Sequence, residues 1–132
     1  MCSAQTLKVS TNKVLNSFAL VENNNAATIL VDSNEAKVVK LSVDYFAKDI
    51  QVVTNVKPFI SSKKGTVVVG TIGKSSFINS LISKKQIDVS KIKNTWEAFI
   101  ITTLSNGTIC IVGSDDRGTA FGVFELSRRI GV

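Results

Sequence analysis

The chain contains no histidine. That absence removes Ser-His-Asp and Cys-His nucleophile activation and the usual His-bearing zinc sites, because each needs an imidazole as base or ligand near neutral pH. Proline is nearly absent, Pro58 being the one example. Charge is sparse as well: 20% of residues are charged against 44% hydrophobic, a balance that excludes disorder as the main state. No run of about 18 consecutive apolar residues occurs, so nothing reads as a membrane span. The two cysteines, Cys2 and Cys110, lie far apart. Cys110 sits in an apolar run and reads first as a small buried hydrophobe, with a disulfide to Cys2 and a reactive thiol as the alternatives, so cysteine usage leaves the redox compartment open.

What is present is one domain's worth of chain, 132 residues with 16 Lys+Arg against 10 Asp+Glu and a formal charge of +6. Folding at this length buries about two-thirds of the extended chain's surface, enough for a core without metal or disulfide. Residues 1–12 read as a flexible N-terminal segment. Ser3-Ala4 before Gln5 resembles the small-residue cleavage end of an export signal, which makes this segment a candidate signal remnant. Residues 13–132 read as a single α/β sandwich.

Lys13 to Val21 is β-leaning, Glu22-Asn23-Asn24-Asn25 is a polar turn, and Ala27 to Val31 is predicted as the second arm of a hairpin. Asp32-Ser33-Asn34 offers three N-cap types. Beyond them Val39, Val43, Phe46, Ala47, Ile50 and Val53 recur at helical spacing and predict one apolar stripe over about five turns. Thr66 to Gly70 reads as a strand covered on both faces, followed by a short helix beginning near Ser75 and a polar connector from Lys84 to Asn94. Trp96–Leu104 and Thr108–Val112 flank Ser105-Asn106-Gly107, a strong hairpin signal. A last helix carries Ala120, Val123, Phe124 and Ile130 inward and stops at Gly131.

The order is β-β-α-β-α-β-β-α, an α/β (α+β) fold. It predicts a mixed sheet of about five strands with three helices mainly on one face. Both faces of the Trp96–Leu104 strand are apolar, so the second sheet face is expected to need a cover from outside the chain, a catalytic domain or a second copy in a dimer.

Motifs for chemistry are weak. Gly73-Lys74-Ser75 follows a strand and precedes a helix, but a phosphate-binding loop needs a glycine where Val68 stands. The expected role is a strand-to-helix turn in which Gly70 and Gly73 allow unusual backbone angles and Ser75 caps the helix. Asp115 and Asp116 are adjacent, whereas paired catalytic carboxyls flank a sugar about 5–9.5 Å apart; helix capping is the expected role. Arg117 near a helix start is not favoured by the dipole and invites a partner across an interface. The lysines are dispersed, with the doublets Lys63-Lys64, Lys84-Lys85 and Arg128-Arg129 and no interleaved aromatics, so no nucleic acid is expected as partner. No catalytic residue, metal ligand or cofactor site is assigned. Trp96 with Asp115, Asp116 and Arg117 form the candidate interdomain contact.

The segment Ile111 to Val132, with Gly113-Ser114-Asp115-Asp116-Arg117-Gly118 opening its helix, resembles the N-terminal domain of glycoside hydrolase family 115, the xylan α-glucuronidases. Gly70-Thr71-Ile72-Gly73-Lys74-Ser75 resembles an earlier segment of the same family. The resemblance implies an α/β sandwich similar to the non-catalytic second domain of β-hexosaminidases, preceding a catalytic (β/α)8 barrel. The family's carboxylates and glucuronic-acid pocket belong to that barrel, and none of its active-site positions matches a residue here. The implied role is a non-catalytic accessory domain of an exported, periplasmic or secreted enzyme of glucuronoxylan degradation, cut before its barrel. A small carbohydrate-binding module is the alternative, and a stand-alone enzyme ranks third.

Overall fold

The computed structural model describes residues 21–22, 25–26 and 28–129. Two short strands, β1 (Val21–Glu22) and β2 (Asn25–Ala26), pair antiparallel. The main sheet contains β3 (Ile29–Val31), β4 (Ile60–Ser61), β5 (Val67–Thr71), β6 (Phe99–Thr103) and β7 (Ile109–Gly113) in the order β4-β3-β5-β7-β6. The first four in that order run parallel, and β6 closes the edge antiparallel to β7. Three helices join them: α1 (Lys37–Thr54), α2 (Ser76–Ser83) and α3 (Asp116–Arg129). The mixed five-stranded sheet, three helices and element order match the sequence expectation, with β4 added.

The Asn-Gly hairpin forms as expected, with Thr103 opposite Ile109 and Gly107 at φ +92°. The first hairpin does not take the expected partner. Ile29–Val31 is bonded in parallel by β4 on one side and β5 on the other, leaving no edge for an antiparallel neighbour. The remainder of its predicted first arm, 13–20, lies outside the described residues, as do Cys2, Ile130 and Gly131.

Side-chain alternation distributes the core onto both sides of the sheet. Ile29, Val31, Val67, Val69, Phe99, Ile101, Ile109 and Ile111 face α1 and α3, where they meet Val39, Val43, Phe46, Ile50, Val123 and Leu126. Burying an aromatic such as Phe46 makes Phe46→Ala cost about 3–5 kcal/mol. Leu30, Val68, Ile100, Cys110 and Val112 face the other way, under Ile78 and Leu81 of α2 and Ile87, Val89 and Ile92 of the following connector. The expected exposed sheet face is therefore absent among the described residues. The chain roofs that face itself, because the connector, polar by composition, places an isoleucine or valine inward at 87, 89 and 92. A dimer through an open sheet face loses its basis for the same reason. Cys110 is a fully buried free thiol whose pKa burial pushes up to about 11, the small-hydrophobe role expected of it.

Helix α1 ends at Asn55, which adopts the left-handed conformation at φ 65° and donates its N–H to Gln51 O at 2.7 Å, a C-terminal cap that asparagine tolerates. Two residues expected inside lie outside: Val53 is 48% exposed and Phe124 47%. Both belong to the α1/α3 layer. Among the described residues no helix is long and apolar enough to cross a membrane.

Candidate functional site

The carboxyl ends of the parallel strands gather most of the molecule's buried polarity. β3 leads to α1 on one face and β5 leads to α2 on the other, and the crevice outside such a divergence is where open α/β sheets commonly bind ligands. Here the crevice is filled by the chain's own groups. Glu35, 4% exposed, accepts hydrogen bonds from Thr71 N–H and Thr71 Oγ1, both at 2.8 Å. Thr71 Oγ1 lies 2.7 Å from Thr119 Oγ1, which donates to Asp115 O at 2.9 Å. Burial is the larger influence on Glu35 and holds its carboxyl above the ordinary carboxylate value, against the opposing hydrogen bonds from Thr71. The hydroxyl chain distinguishes the two states. A neutral Glu35 can donate to Thr71, Thr71 to Thr119 and Thr119 to Asp115 O; an ionised Glu35 accepts from Thr71, and the single Thr119 proton then serves either Thr71 or Asp115 O but not both.

The neighbouring acids are occupied as well. Asp32 accepts from Asn34 N–H at 2.9 Å and from Ser76 N–H and Oγ at 3.0 and 2.9 Å, and these bonds hold its carboxyl below the ordinary value. The Asp32-Ser33-Asn34 caps were expected on the first helix, yet α1 starts after Ala36 with no side-chain cap. Asp32 instead serves the N-terminus of α2, because β3 and β5 are adjacent in space and α2 rises beside the end of β3. Ser75 caps α2 as expected, accepting from Ile78 N–H at 3.2 Å. Gly73 has φ +89°, whereas Gly70 lies in regular strand and is small for another reason: a Cβ there would overlap Ile78 and Ser75.

Asp115 caps α3, accepting from Gly118 N–H at 2.7 Å, and its other oxygen takes Glu97 N–H at 2.9 Å. Asp116 reaches Lys74 at 2.8 Å, and this contact holds the Lys74 ammonium above its ordinary pKa. Arg117 pairs with Glu97 at 3.0 Å and lies 5.7 Å from the Phe121 ring centre. Arg117 thus has an acidic partner within the same chain and stays largely exposed. Trp96 stands outside this set of hydrogen bonds and ion pairs; it precedes β6 in a turn and is 89% exposed. Glu35, Thr71 and Thr119 were not foreseen as a set. The one available signal was a glutamate within a β-to-α junction, which reads equally well as a solvated helix start. Among the described residues no cluster of three His, Cys, Asp or Glu side chains could hold a metal.

The second feature is apolar. Seven of the eleven exposed large hydrophobics among the described residues lie on α1 and α3. Val38, Leu41, Tyr45 and Val52 recur at three-, four- and seven-residue steps and form one stripe on α1. Ser127 of α3 donates to Asp49 of α1. Tyr45 and Val52 flank Asp49 on its helix face, and Phe124 neighbours Ser127 on its own, so the α1 stripe and Phe124 of α3 both border the seam between the helices. Lys48 lies over the Tyr45 ring at 5.8 Å and Arg117 over Phe121, which gives the exposed rings polar company in water.

No family profile matches the chain, and none of the curated proteins does. Among solved structures, it is similar to an enzyme described as a novel family GH115 4-O-methyl-α-glucuronidase with specificity for decorated arabinogalactans, with 38% identity and a TM-score of 0.73. The similarity covers 80% of this chain and 13% of that one; the chain thus spans about one-eighth of the enzyme it resembles.

Proposed function

The chain carries a domain related to glycoside hydrolase family 115, and from this premise we propose that it is a non-catalytic accessory domain that packs against and stabilises a catalytic (β/α)8 barrel. The substrate of the assembled enzyme would be a glucuronic-acid-bearing polysaccharide of the glucuronoxylan kind, and the enzyme would work outside the cytoplasm, periplasmic or secreted. The observation that carries this reading is the apolar seam of α1 and α3. With the sheet roofed on both sides, the outer face of the helical layer is the surface whose burial would gain most, at about 25 cal/mol per Å² of apolar area. The engaged acids at the carboxyl ends of the strands support the non-catalytic part: Asp32, Glu35 and Asp115 accept hydrogen bonds within the chain and Asp116 pairs with Lys74.

The test has two arms. The chain alone, incubated with glucuronic-acid-bearing xylan oligosaccharides, should release no glucuronic acid; release at an enzymic rate would overturn the reading. Joined to a family 115 catalytic barrel in place of the matching segment, the chain should raise the barrel's melting temperature above that of the barrel alone, and Leu41→Asp should abolish the gain.

The exposed Trp96 favours a second reading, a small carbohydrate-binding module, since an indole in water offers a face for stacking on a sugar. Calorimetry of the chain with glucuronoxylan separates the two: binding that Trp96→Ala abolishes favours the module, whereas no binding, or binding that the substitution leaves unchanged, favours the accessory domain.

A further inference from the structure

The connector between α2 and β6 has a use beyond roofing the sheet. Ile87, Val89 and Ile92 pin residues 84–95 to the core, while Lys84, Lys85, Lys91 and Lys93 remain exposed along it. Where the connector leaves α2 it borders an open groove of about 400 Å³ lined by the apolar Ile82, Ile87 and Val89 and by Lys85, Lys93 and Ser90. Asp88 is the one acid in the lining; it accepts Ser90 N–H at 2.9 Å, and that bond holds its carboxyl below the ordinary value. None of the four lysines lies within salt-bridge distance of an acid among the described residues.

Lys85 also adopts φ 60° just past the C-terminus of α2, a position where glycine is the relaxed choice and a lysine costs conformational energy. Such strain in a groove's lining motivates a functional question.

We propose that this groove binds a uronate-bearing saccharide, with the sugar's C–H face on Ile82, Ile87 and Val89 and its carboxylate between Lys85 and Lys93. Charge complementarity selects the occupant: two ammonium groups against one engaged carboxylate favour an anion, and the volume lies in the small-ligand range. The inference rests on the reading that the chain serves an enzyme of glucuronic-acid-bearing glycans, and it assigns this domain a share in holding the acidic branch.

The experiment is calorimetry of the 132-residue chain with an acidic xylan oligosaccharide and with its carboxyl-reduced, neutral counterpart. Binding of the acidic sugar that weakens about tenfold after reduction, and about fivefold in Lys93→Ala, supports the site. Lys85→Gly should weaken binding similarly while the melting temperature holds or rises, an outcome that separates loss of the ligand contact from loss of fold. Lys63→Ala, on a different loop, should change nothing. No binding at millimolar sugar, equal binding of the neutral sugar, equal weakening by Lys63→Ala, or equal affinity for polyglutamate would each overturn it. Barrel stabilisation is read in a separate measurement that these variants leave unmoved, so the two proposals fail independently.

Discussion

The carboxyl ends of the parallel strands and the outer face of the α1/α3 layer divide the molecule's surface chemistry between them. At the strand ends, polar groups that follow β3, β5 and β7 engage one another, and Glu35 is enclosed with both oxygens bonded. Across the helices, apolar side chains line up on two neighbouring elements with nothing from the described residues laid over them. Polar residues in a crevice need not make an active site, since satisfied groups have little left to offer a substrate. Apolar residues on a helix can be surplus to the domain's own core, and the surplus indicates where another polypeptide would fit.

Substitutions in the isolated chain should separate the two regions sharply. The largest effect is expected for Glu35→Ala, which leaves Thr71 N–H buried without an acceptor and should lower unfolding stability by about 3 kcal/mol in urea titrations. Thr71→Val keeps the shape and removes the shared hydroxyl, so a loss of about 1–2 kcal/mol is expected; an unchanged midpoint would mean the hydroxyl chain contributes nothing.

A subtler break is made with pH. The folded-state pKa of Glu35 is raised above the ordinary 4.5, so the folded chain retains a proton that the unfolded chain has released. The resulting stability is fully present below about 4.5 and is lost as pH rises through the folded value. Asp116 and Lys74 act on Glu35 in opposite senses, which leaves burial as the main cause. Glu35→Gln should flatten this part of the stability profile, as urea midpoints measured from about pH 4 to pH 8 would reveal.

At the other extreme, Leu41→Asp on the helical face should move the isolated chain's stability by no more than about 0.5 kcal/mol. Its effect is expected in the barrel-joined protein. A large loss in the isolated chain would indicate that Leu41 supports the domain's own core, and would remove the contrast on which the docking surface rests.

Much of the architecture was legible beforehand because it is written in local pattern. The stripe from Val39 to Ile50 specifies α1, Asn106-Gly107 specifies the β6/β7 hairpin, and Ser75 caps α2 through a hydrogen bond only three residues long in sequence. The site was far less legible. Asp115 caps its helix as its position suggests, but nothing local shows that Glu97, distant along the chain's path, lies within reach of Arg117. Asp32 serves the start of α2 rather than α1, and a cap type in the sequence does not reveal which N-terminus lies beside it. The connector's composition, mostly lysine and polar residues, concealed three inward apolar side chains that complete the second roof.

The sequence alone therefore settled most of the elements, their order and the main buried stripe of α1, since turns, caps and hydrophobic period act over a few residues; β4 and the partners of Ile29–Val31 lay beyond it. Tertiary structure decided which strands are neighbours, which carboxylates are already engaged, and which apolar residues remain outside once both sheet faces are covered. Those outcomes depend on contacts between residues dozens of positions apart, as between Glu35 and Thr71, and no local pattern encodes a distance of that kind.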